Sequence, residues 1–160
     1  MSYAEGALME PLAVGVYACK RSHIAEGSGQ RVMVTGAGPV GLLTAMAAKA
    51  MGAQDVCILD INENRLKFAQ RLGIRRTLLI EPGMETEPMA NQVIELLGGS
   101  PDITLECSGA ESSLNLAIFV TKDGGNVVMV GLNHRKVNVS LASAACREVN
   151  LLGVKRYRHA

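Results

Sequence analysis

The most informative segment of the chain reads Arg31-Val32-Met33-Val34-Thr35-Gly36-Ala37-Gly38-Pro39-Val40-Gly41. A short apolar run, typical of a buried strand, leads into the glycine pattern G-x-G-x-x-G, and apolar residues at helical spacing follow as far as Met51. Gly36 permits a tight turn, Gly38 allows the backbone to approach a pyrophosphate, and Gly41 allows close packing of helix on strand. This strand–turn–helix context predicts a dinucleotide-binding turn.

Strand-like and helix-like segments alternate along the rest of the chain. The apolar runs lie at residues 31–35, 56–60, 77–80, 103–107, 125–132 and 151–154, and helical patterns separate the first five of them. Because strands that alternate with helices form parallel β-α-β units, we predict an α/β fold. The expected architecture is a doubly wound, six-stranded parallel Rossmann sheet in the order 3-2-1-4-5-6, preceded by one helix.

Local signals mark where two of these helices begin. Asn62 is predicted to cap a helix whose apolar face is Leu66, Ala69 and Leu72. A second helix starts near residue 108, where Ser108 and the glutamate three positions later have the S-x-x-E spacing of a capping box.

The chain is predicted to divide near residue 30. Residues 1–30 would form a lead-in helix, indicated by apolar residues at helical spacing from Leu8 to Cys19, and a polar connector. Residues 31–157 would form the dinucleotide-binding Rossmann domain.

Composition excludes several classes of function. The chain has 160 residues, 16 basic and 15 acidic residues for a net charge of +1, and 3% aromatics with no Trp. A phosphate backbone attracts a strongly basic surface and single-stranded bases stack on aromatic rings, so we expect no nucleic-acid partner. No apolar run reaches the roughly 18 residues of a membrane helix, so we expect no membrane partner.

The cysteines and histidines do not form a metal-binding pattern. Four cysteines lie far apart without a C-x-x-C pair, which favours buried thiols in a reducing compartment and therefore a cytoplasmic protein. His23, His134 and His159 lie in polar segments and are expected at the surface. We therefore expect no metal ligands in this chain.

Asp60 follows the second predicted strand, 19 residues after Gly41. A carboxylate there can accept hydrogen bonds from both hydroxyls of an adenosine ribose, and it would repel the 2′-phosphate of NADP. Ile61 and Asn62 follow it in place of an arginine, so NAD is the expected cofactor. Arg65 could bend back toward the ribose or pair with a nearby acid. Binding of S-adenosylmethionine by a transferase remains an alternative.

Five segments together resemble the coenzyme domain of the medium-chain, zinc-type dehydrogenases. They are residues 5–15, 32–41, 105–111, 128–132 and 147–157, and they span nearly the whole chain. The glycine pattern is shared across that superfamily. The segment Glu106-Cys107-Ser108-Gly109-Ala110-Glu111 and the pair Arg156-Tyr157 are more specific to its polyol-dehydrogenase branch.

This resemblance implies which residues would contact NAD. Val40 and Arg65 would join the glycines and Asp60 around the pyrophosphate and ribose, residues 130–132 would lie along the nicotinamide half, and residues 154–156 would face its carboxamide. The full expected cofactor-binding set is Gly36, Gly38, Val40, Gly41, Asp60, Arg65, Val130, Gly131, Leu132, Val154, Lys155 and Arg156.

The resemblance also implies a substrate site. Glu10 would be the catalytic residue beside the zinc and its substrate, and Arg156 and Tyr157 would hold the hydroxyls of a polyol. From the residues alone, Glu10 could equally be an exposed acid of a helix, and the other two could be solvated.

The family's zinc ligands belong to an earlier catalytic domain, and no residues of this chain correspond to them. We therefore expect a full-length NAD-dependent polyol dehydrogenase that forms a ketose, whereas the isolated chain, a fragment or truncated product, would be inactive. A non-catalytic dinucleotide-binding module is the alternative. The resemblance further implies a homo-oligomer, a dimer or tetramer, paired at the edge near the sixth strand through residues 137–141 and 151–154.

Overall fold

A computed structural model, which describes residues 1–132 and 136–157, contains a six-stranded sheet in the order β3-β2-β1-β4-β5-β6. Every neighbouring pair of strands in this sheet is parallel. The predicted doubly wound fold is therefore confirmed. The strands are β1 (Arg31–Thr35), β2 (Asp55–Asp60), β3 (Arg76–Leu79), β4 (Ile103–Glu106), β5 (Asn126–Met129) and β6 (Asn150–Gly153).

Helices connect the strands and cover both faces of the sheet. They are α1 (Tyr3–Arg21), α2 (Pro39–Ala50), α3 (Glu63–Arg71), α4 (Thr86–Leu97), α5 (Glu111–Val120) and α6 (Leu141–Cys146). Successive residues of a strand point to opposite faces, so Val32 and Val34 pack in a core with α1, α2 and α3, whereas Met33 packs with α4 and α5. Burial on both faces explains why the strands read as nearly continuous apolar runs.

The predicted lead-in helix is α1, and its second half packs closely on α2. A Cβ built on Gly15 would lie 2.9 Å from Thr44 Oγ1, and the Cys19 thiol donates to the Thr44 carbonyl at 3.6 Å. Both α1 and the sheet pack on α2, so Leu42 and Ala45 are buried in addition to the single apolar face that the sequence indicated. The division at residue 30 stays a prediction.

The first half of α1 is mostly exposed. Ser2 caps the helix by accepting from the Glu5 N–H at 3.2 Å, and the Glu5 carboxylate accepts from the Ser2 N–H at 2.6 Å. Pro11 lies inside the helix, and Val14 is the first buried residue. The capping box therefore holds together a segment that has few other contacts.

Asn62 caps α3, as predicted from the sequence. Its side-chain oxygen accepts from the N–H groups of Asn64 and Arg65 at 3.0 and 3.2 Å. Leu66 is buried, but Leu72, predicted on the same apolar face, is 39% exposed. The helix ends one residue before Leu72, so this side chain no longer follows the helical face.

Helix α6 was not predicted, because six residues are too short for a periodic signal. Arg147 links it to the end of α5, since its Nη1 donates to the carbonyls of Ile118 and Phe119 at 3.0 and 2.8 Å. The segment 136–140 contains no strand. His23 is exposed, as predicted, while His134 and His159 lie outside the described residues.

Candidate functional site

The glycine turn joins β1 to α2 at the carboxyl edge of the sheet. Gly36 has φ +88°, and its N–H donates to the Leu59 carbonyl at 2.7 Å. A Cβ on Gly41 would lie 1.8 Å from the Gly36 carbonyl oxygen, so no side chain fits there. Gly38 precedes α2, and a Cβ built on it would meet no atom within 4 Å. The backbone geometry of the turn therefore requires glycine at positions 36 and 41, whereas Gly38 borders open space.

Asp60 ends β2 beside this turn and is 7% exposed. Its Oδ2 accepts from the Ala37 N–H at 2.6 Å, and its Oδ1 accepts from the Asn62 N–H at 2.8 Å. Nη1 of Arg65 lies 3.7 Å from Oδ2, so the arginine does bend back toward this carboxylate. The side chain predicted to bind ribose thus also holds the glycine turn.

The turn after β4 faces the glycine turn from the other side. The Glu106 side chain accepts from the Ser108 N–H and the Gly109 N–H, each at 2.9 Å, and from the Ser108 hydroxyl. Ser108 Oγ in turn accepts from the Ala110 N–H at 3.1 Å, and Ala110 is the N-cap of α5. The predicted capping box between Ser108 and Glu111 is therefore wrong, because Ser108 precedes the N-cap by two residues.

A cleft of about 420 Å³ lies between these two turns. This volume falls within the roughly 300–1,000 Å³ typical of small-molecule sites. The cleft opens at the carboxyl ends of β1 and β4, where the order of strands reverses and doubly wound sheets bind their ligands. Its walls are formed by Thr35, Gly36, Gly38, Leu59, Asp60, Ile61, Arg65, Ile80, Met89, Cys107, Ser108, Ala110, Ser112, Ser113 and Leu116.

Four of the predicted cofactor residues line this cleft, namely Gly36, Gly38, Asp60 and Arg65. Val40 and Gly41 lie directly behind it in the first turn of α2. Three apolar wall residues, Ile80, Met89 and Leu116, were not predicted as site residues, because each reads in sequence as ordinary core.

The other predicted residues lie outside the cleft walls. Val130 and Val154 are buried, whereas the side chain of Leu132 is 74% exposed. A Cβ on Gly131 would lie 2.2 Å from the Gly109 nitrogen, so Gly131 packs against the turn after β4.

The predicted substrate residues are all exposed. Lys155, Arg156 and Tyr157 follow β6, and Arg156 has φ +54°. Glu10 lies on the exposed half of α1. The structure therefore brings Gly36, Gly38, Asp60 and Arg65 together in one cleft, whereas the predicted substrate residues lie exposed outside its walls.

Cys107 lines the cleft, but its thiol is not poised for reaction. Burial raises its pKa well above the usual range of a cysteine. Burial likewise raises the pKa of Cys19 and of Cys57 to about 12. A thiol attacks as its thiolate, so Cys107 serves as an apolar wall residue at neutral pH.

Across residues 1–132 and 136–157, no group of three His, Cys, Asp or Glu side chains is arranged to hold a metal ion. The residues present thus do not fit a catalytic zinc, which needs about three protein ligands. In the same part of the chain, no helix has the length and apolar character needed to cross a bilayer.

The doubly wound sheet, the glycine turn and the cleft at the strand-order reversal define a nucleotide-coenzyme-binding domain. A family model described as "Zinc-binding dehydrogenase" matches residues 39–160. The chain belongs to the zinc-binding dehydrogenase family.

Sorbitol dehydrogenase from Mus musculus is 46% identical to this chain over 158 residues, which are 98% of this chain and 43% of the relative. The resemblance to the polyol branch is thereby confirmed. The chain spans less than half the length of the curated relatives it matches.

Two solved structures show the same fold. 2R,3R-butanediol dehydrogenase from Bacillus subtilis has a TM-score of 0.84 and 30% identity, covering 99% of this chain and 44% of that one. A zinc-binding dehydrogenase from Sinorhizobium meliloti 1021, solved bound to NADP, has a TM-score of 0.79 and 28% identity. The match covers 95% of this chain and 44% of that one. NAD(P) and zinc are accordingly the cofactors of this family.

The different surroundings of the glycines lead to a testable prediction. Gly41→Ala places a methyl group against the Gly36 carbonyl and is expected to lower the free energy of unfolding by about 3 kcal/mol. Gly38→Ala is expected to change it by less than about 1 kcal/mol, because the site is open and its φ of −74° suits alanine. Urea denaturation followed by circular dichroism measures both, and equal stability of the two variants would contradict this assignment.

Proposed function

We propose that this chain is the NAD-binding domain of a polyol dehydrogenase, in which a hydride passes from a secondary alcohol to the nicotinamide and a ketose forms. The observation that carries the proposal is the convergence of Gly36, Gly38 and Asp60 on one cleft at the strand-order reversal. The similarity to the sorbitol dehydrogenase of Mus musculus supports the polyol as substrate class.

The turn offers a pyrophosphate both space and positive charge. Gly38 leaves open surface directly at the start of α2, where the first N–H groups of a helix lack partners within the helix. The positive end of the α2 dipole favours an anion there, and the first turn of α2 contains no acidic residue. When bound, NAD would supply the hydride acceptor, and Gly38 and Val40 would hold its phosphates.

Asp60 is proposed to select NAD over NADP. Each carboxylate oxygen accepts one hydrogen bond from the backbone, which leaves a further lone pair on each for a ribose hydroxyl. A 2′-phosphate would bring a second anion against this nearly buried carboxylate. Arg65 partly offsets that repulsion, but its side chain is 57% exposed and therefore solvated.

The cofactor preference is tested by titrating the chain with NADH and NADPH and following nucleotide fluorescence. We expect NADH to bind at least about 10-fold more tightly, a difference of about 1.4 kcal/mol. Asp60→Asn should weaken NADH binding, because its single acceptor oxygen carries no charge. It should also reduce the preference for NADH over NADPH, because the negative charge that repels the 2′-phosphate is removed. Asp55→Asn is the matched control at the opposite end of β2 and should leave the ratio unchanged.

Two outcomes would contradict the cofactor assignment. Tighter binding of NADPH than of NADH by the unmodified chain would overturn the role given to Asp60. A rise in melting temperature with S-adenosylmethionine but not with NADH would favour a transferase instead.

Glu10, Arg156 and Tyr157 are proposed to contact the substrate, with Glu10 as the catalytic residue. Tyr157 and Arg156 follow β6, whose carboxyl end lies at the same edge of the sheet as the cleft, because all the strands are parallel. Val130, Gly131, Leu132, Val154 and Lys155 are proposed to border the nicotinamide half at that edge. The zinc of the family would be held outside the residues described here.

The substrate assignment is tested in a chimera in which this chain replaces the matching region of the Mus musculus sorbitol dehydrogenase. We expect NADH formation that depends on sorbitol. Glu10→Gln, Arg156→Ala and Tyr157→Phe should each lower kcat/KM for sorbitol by about 10-fold or more. Glu10→Gln and Tyr157→Phe, which alter no residue of the expected cofactor-binding set, should leave the Kd for NADH unchanged. Glu95→Gln, an exposed acid of α4, is the control. A chimera that binds NADH and oxidises no polyol would favour the non-catalytic alternative.

We also propose a cytoplasmic protein, because all four cysteines are free, as is usual for proteins in a reducing compartment.

A homo-oligomer, a dimer or tetramer, is proposed through the outer edge of β6. This strand ends the sheet, and in the described residues it pairs with β5 alone. An open edge strand favours pairing with another chain unless it is protected. Residues 137–141 are less suited to that role, since residues 136–140 form no strand and α6 begins at Leu141.

Sedimentation velocity over a range of protein concentrations tests this proposal. We expect a dimer or tetramer at high concentration, because the paired edges would satisfy the N–H and C=O groups that β6 leaves open. A monomer at every concentration would contradict it.

A further inference from the structure

Glu106 is a buried acid without a cationic partner in the described part of the chain. The residue is 2% exposed, and no Lys, Arg or His forms an ion pair with it there. A buried charge is costly unless hydrogen bonds replace its water. Its Oε1 accepts from the Thr35 hydroxyl at 3.1 Å and from the N–H groups of Ser108 and Gly109 at 2.9 Å each. The side chain is thus held by the protein's own dipoles.

These bonds tie together the three strands that meet at the back of the cleft. Thr35 ends β1, Glu106 ends β4, and the Glu106 carbonyl accepts from the N–H groups of Val130 and Gly131, both at 2.8 Å, just after β5. The carboxylate therefore lies at the reversal of strand order, below the turn formed by residues 107–110.

Glycines confine this turn on two other sides. A Cβ on Gly36 would lie 3.1 Å from the Ser108 nitrogen, and one on Gly131 would lie 2.2 Å from the Gly109 nitrogen. The turn consequently cannot shift toward either neighbour. Since Ser108 and Ala110 line the cleft opposite Gly38, the position of the turn sets the width of the cleft.

We propose that Glu106 is a positioning residue for the cofactor, whose carboxylate fixes the turn at residues 107–110 as a preformed wall of the cleft. This inference rests on the proposed binding of NAD. The Thr35 and Ser108 hydroxyls and the Ser108 N–H donate to Oε1, and the Gly109 N–H donates to both oxygens. A charged carboxylate accepts these bonds more strongly than a neutral amide oxygen would. A glutamine would also place its NH₂ group where Oε2 is, against the Gly109 N–H.

The test compares Glu106→Gln with Thr104→Val at a temperature where circular dichroism shows both variants folded. Thr104 is a matched control, because it is fully buried on the same strand and its hydroxyl hydrogen-bonds to the Thr121 hydroxyl at 2.7 Å. Neither residue lines the cleft. We expect Glu106→Gln to raise the Kd for NADH by about 10-fold or more. Thr104→Val should lose stability while its Kd stays within about 2-fold.

A measurement on the unmodified chain covers the case in which Glu106→Gln fails to fold. Amide hydrogen exchange should show the Ser108 and Gly109 N–H groups already protected without cofactor. With NADH they should gain no more protection than the amides of β4, which gain through the stabilisation of the folded state as a whole. A gain clearly larger than that of β4 would mean that the cofactor shapes the turn, and would overturn the inference.

The outcomes separate this inference from the proposed function. If the unmodified chain does not bind NADH, the proposed function falls and the inference with it. If it binds NADH and Glu106→Gln binds equally well, or no worse than Thr104→Val, the inference alone falls.

Discussion

The contact between Gly41 and the Gly36 carbonyl sets the geometry of the molecule. With 1.8 Å between that oxygen and the place where a Cβ would be, helix α2 can start at this distance from the turn only if residue 41 has no side chain. The N-terminus of α2 thereby lies beside the glycine turn at the carboxyl edge of the sheet, where the cleft opens. Helix α1 packs on α2 at Gly15 and Thr44, so the position of α2 also sets that of α1.

Two buried carboxylates flank that turn and differ in what they leave free. Asp60 accepts one backbone N–H at each oxygen and faces the cleft with lone pairs to spare. Glu106 is surrounded by donors from its own chain and faces inward. Asp60 is therefore the one with free acceptor capacity toward the cleft, whereas the hydrogen bonds of Glu106 hold the turn that forms the opposite wall. In sequence the two look alike, since each is an acid at the end of an apolar strand.

Spacing alone predicted the features whose signals are local. The sequence correctly predicted that the G-x-G-x-x-G pattern joins a strand to a helix and that Asp60 ends the next strand. These elements follow one another within 30 residues, so local spacing is enough to place them. The Ser108 capping box failed because α5 begins at Glu111 with Ala110 as its N-cap, so Ser108 lies two residues too early for the S-x-x-E pattern to apply. The wall residues Met89 and Leu116 come from two helices that meet only in three dimensions. No periodicity distinguishes them from core.

Pro11 has a mechanical consequence for α1. A proline inside a helix has no N–H to donate to the carbonyl four residues earlier, here that of Ala7. This missing bond falls between the exposed first half of the helix and the half buried from Val14 onward. The turn at residues 7–11 is therefore held by one hydrogen bond fewer than the rest of α1. Glu10 lies in this turn, on the exposed half of the helix, so the packing of α1 on α2 constrains its position less than that of the residues from Val14 onward.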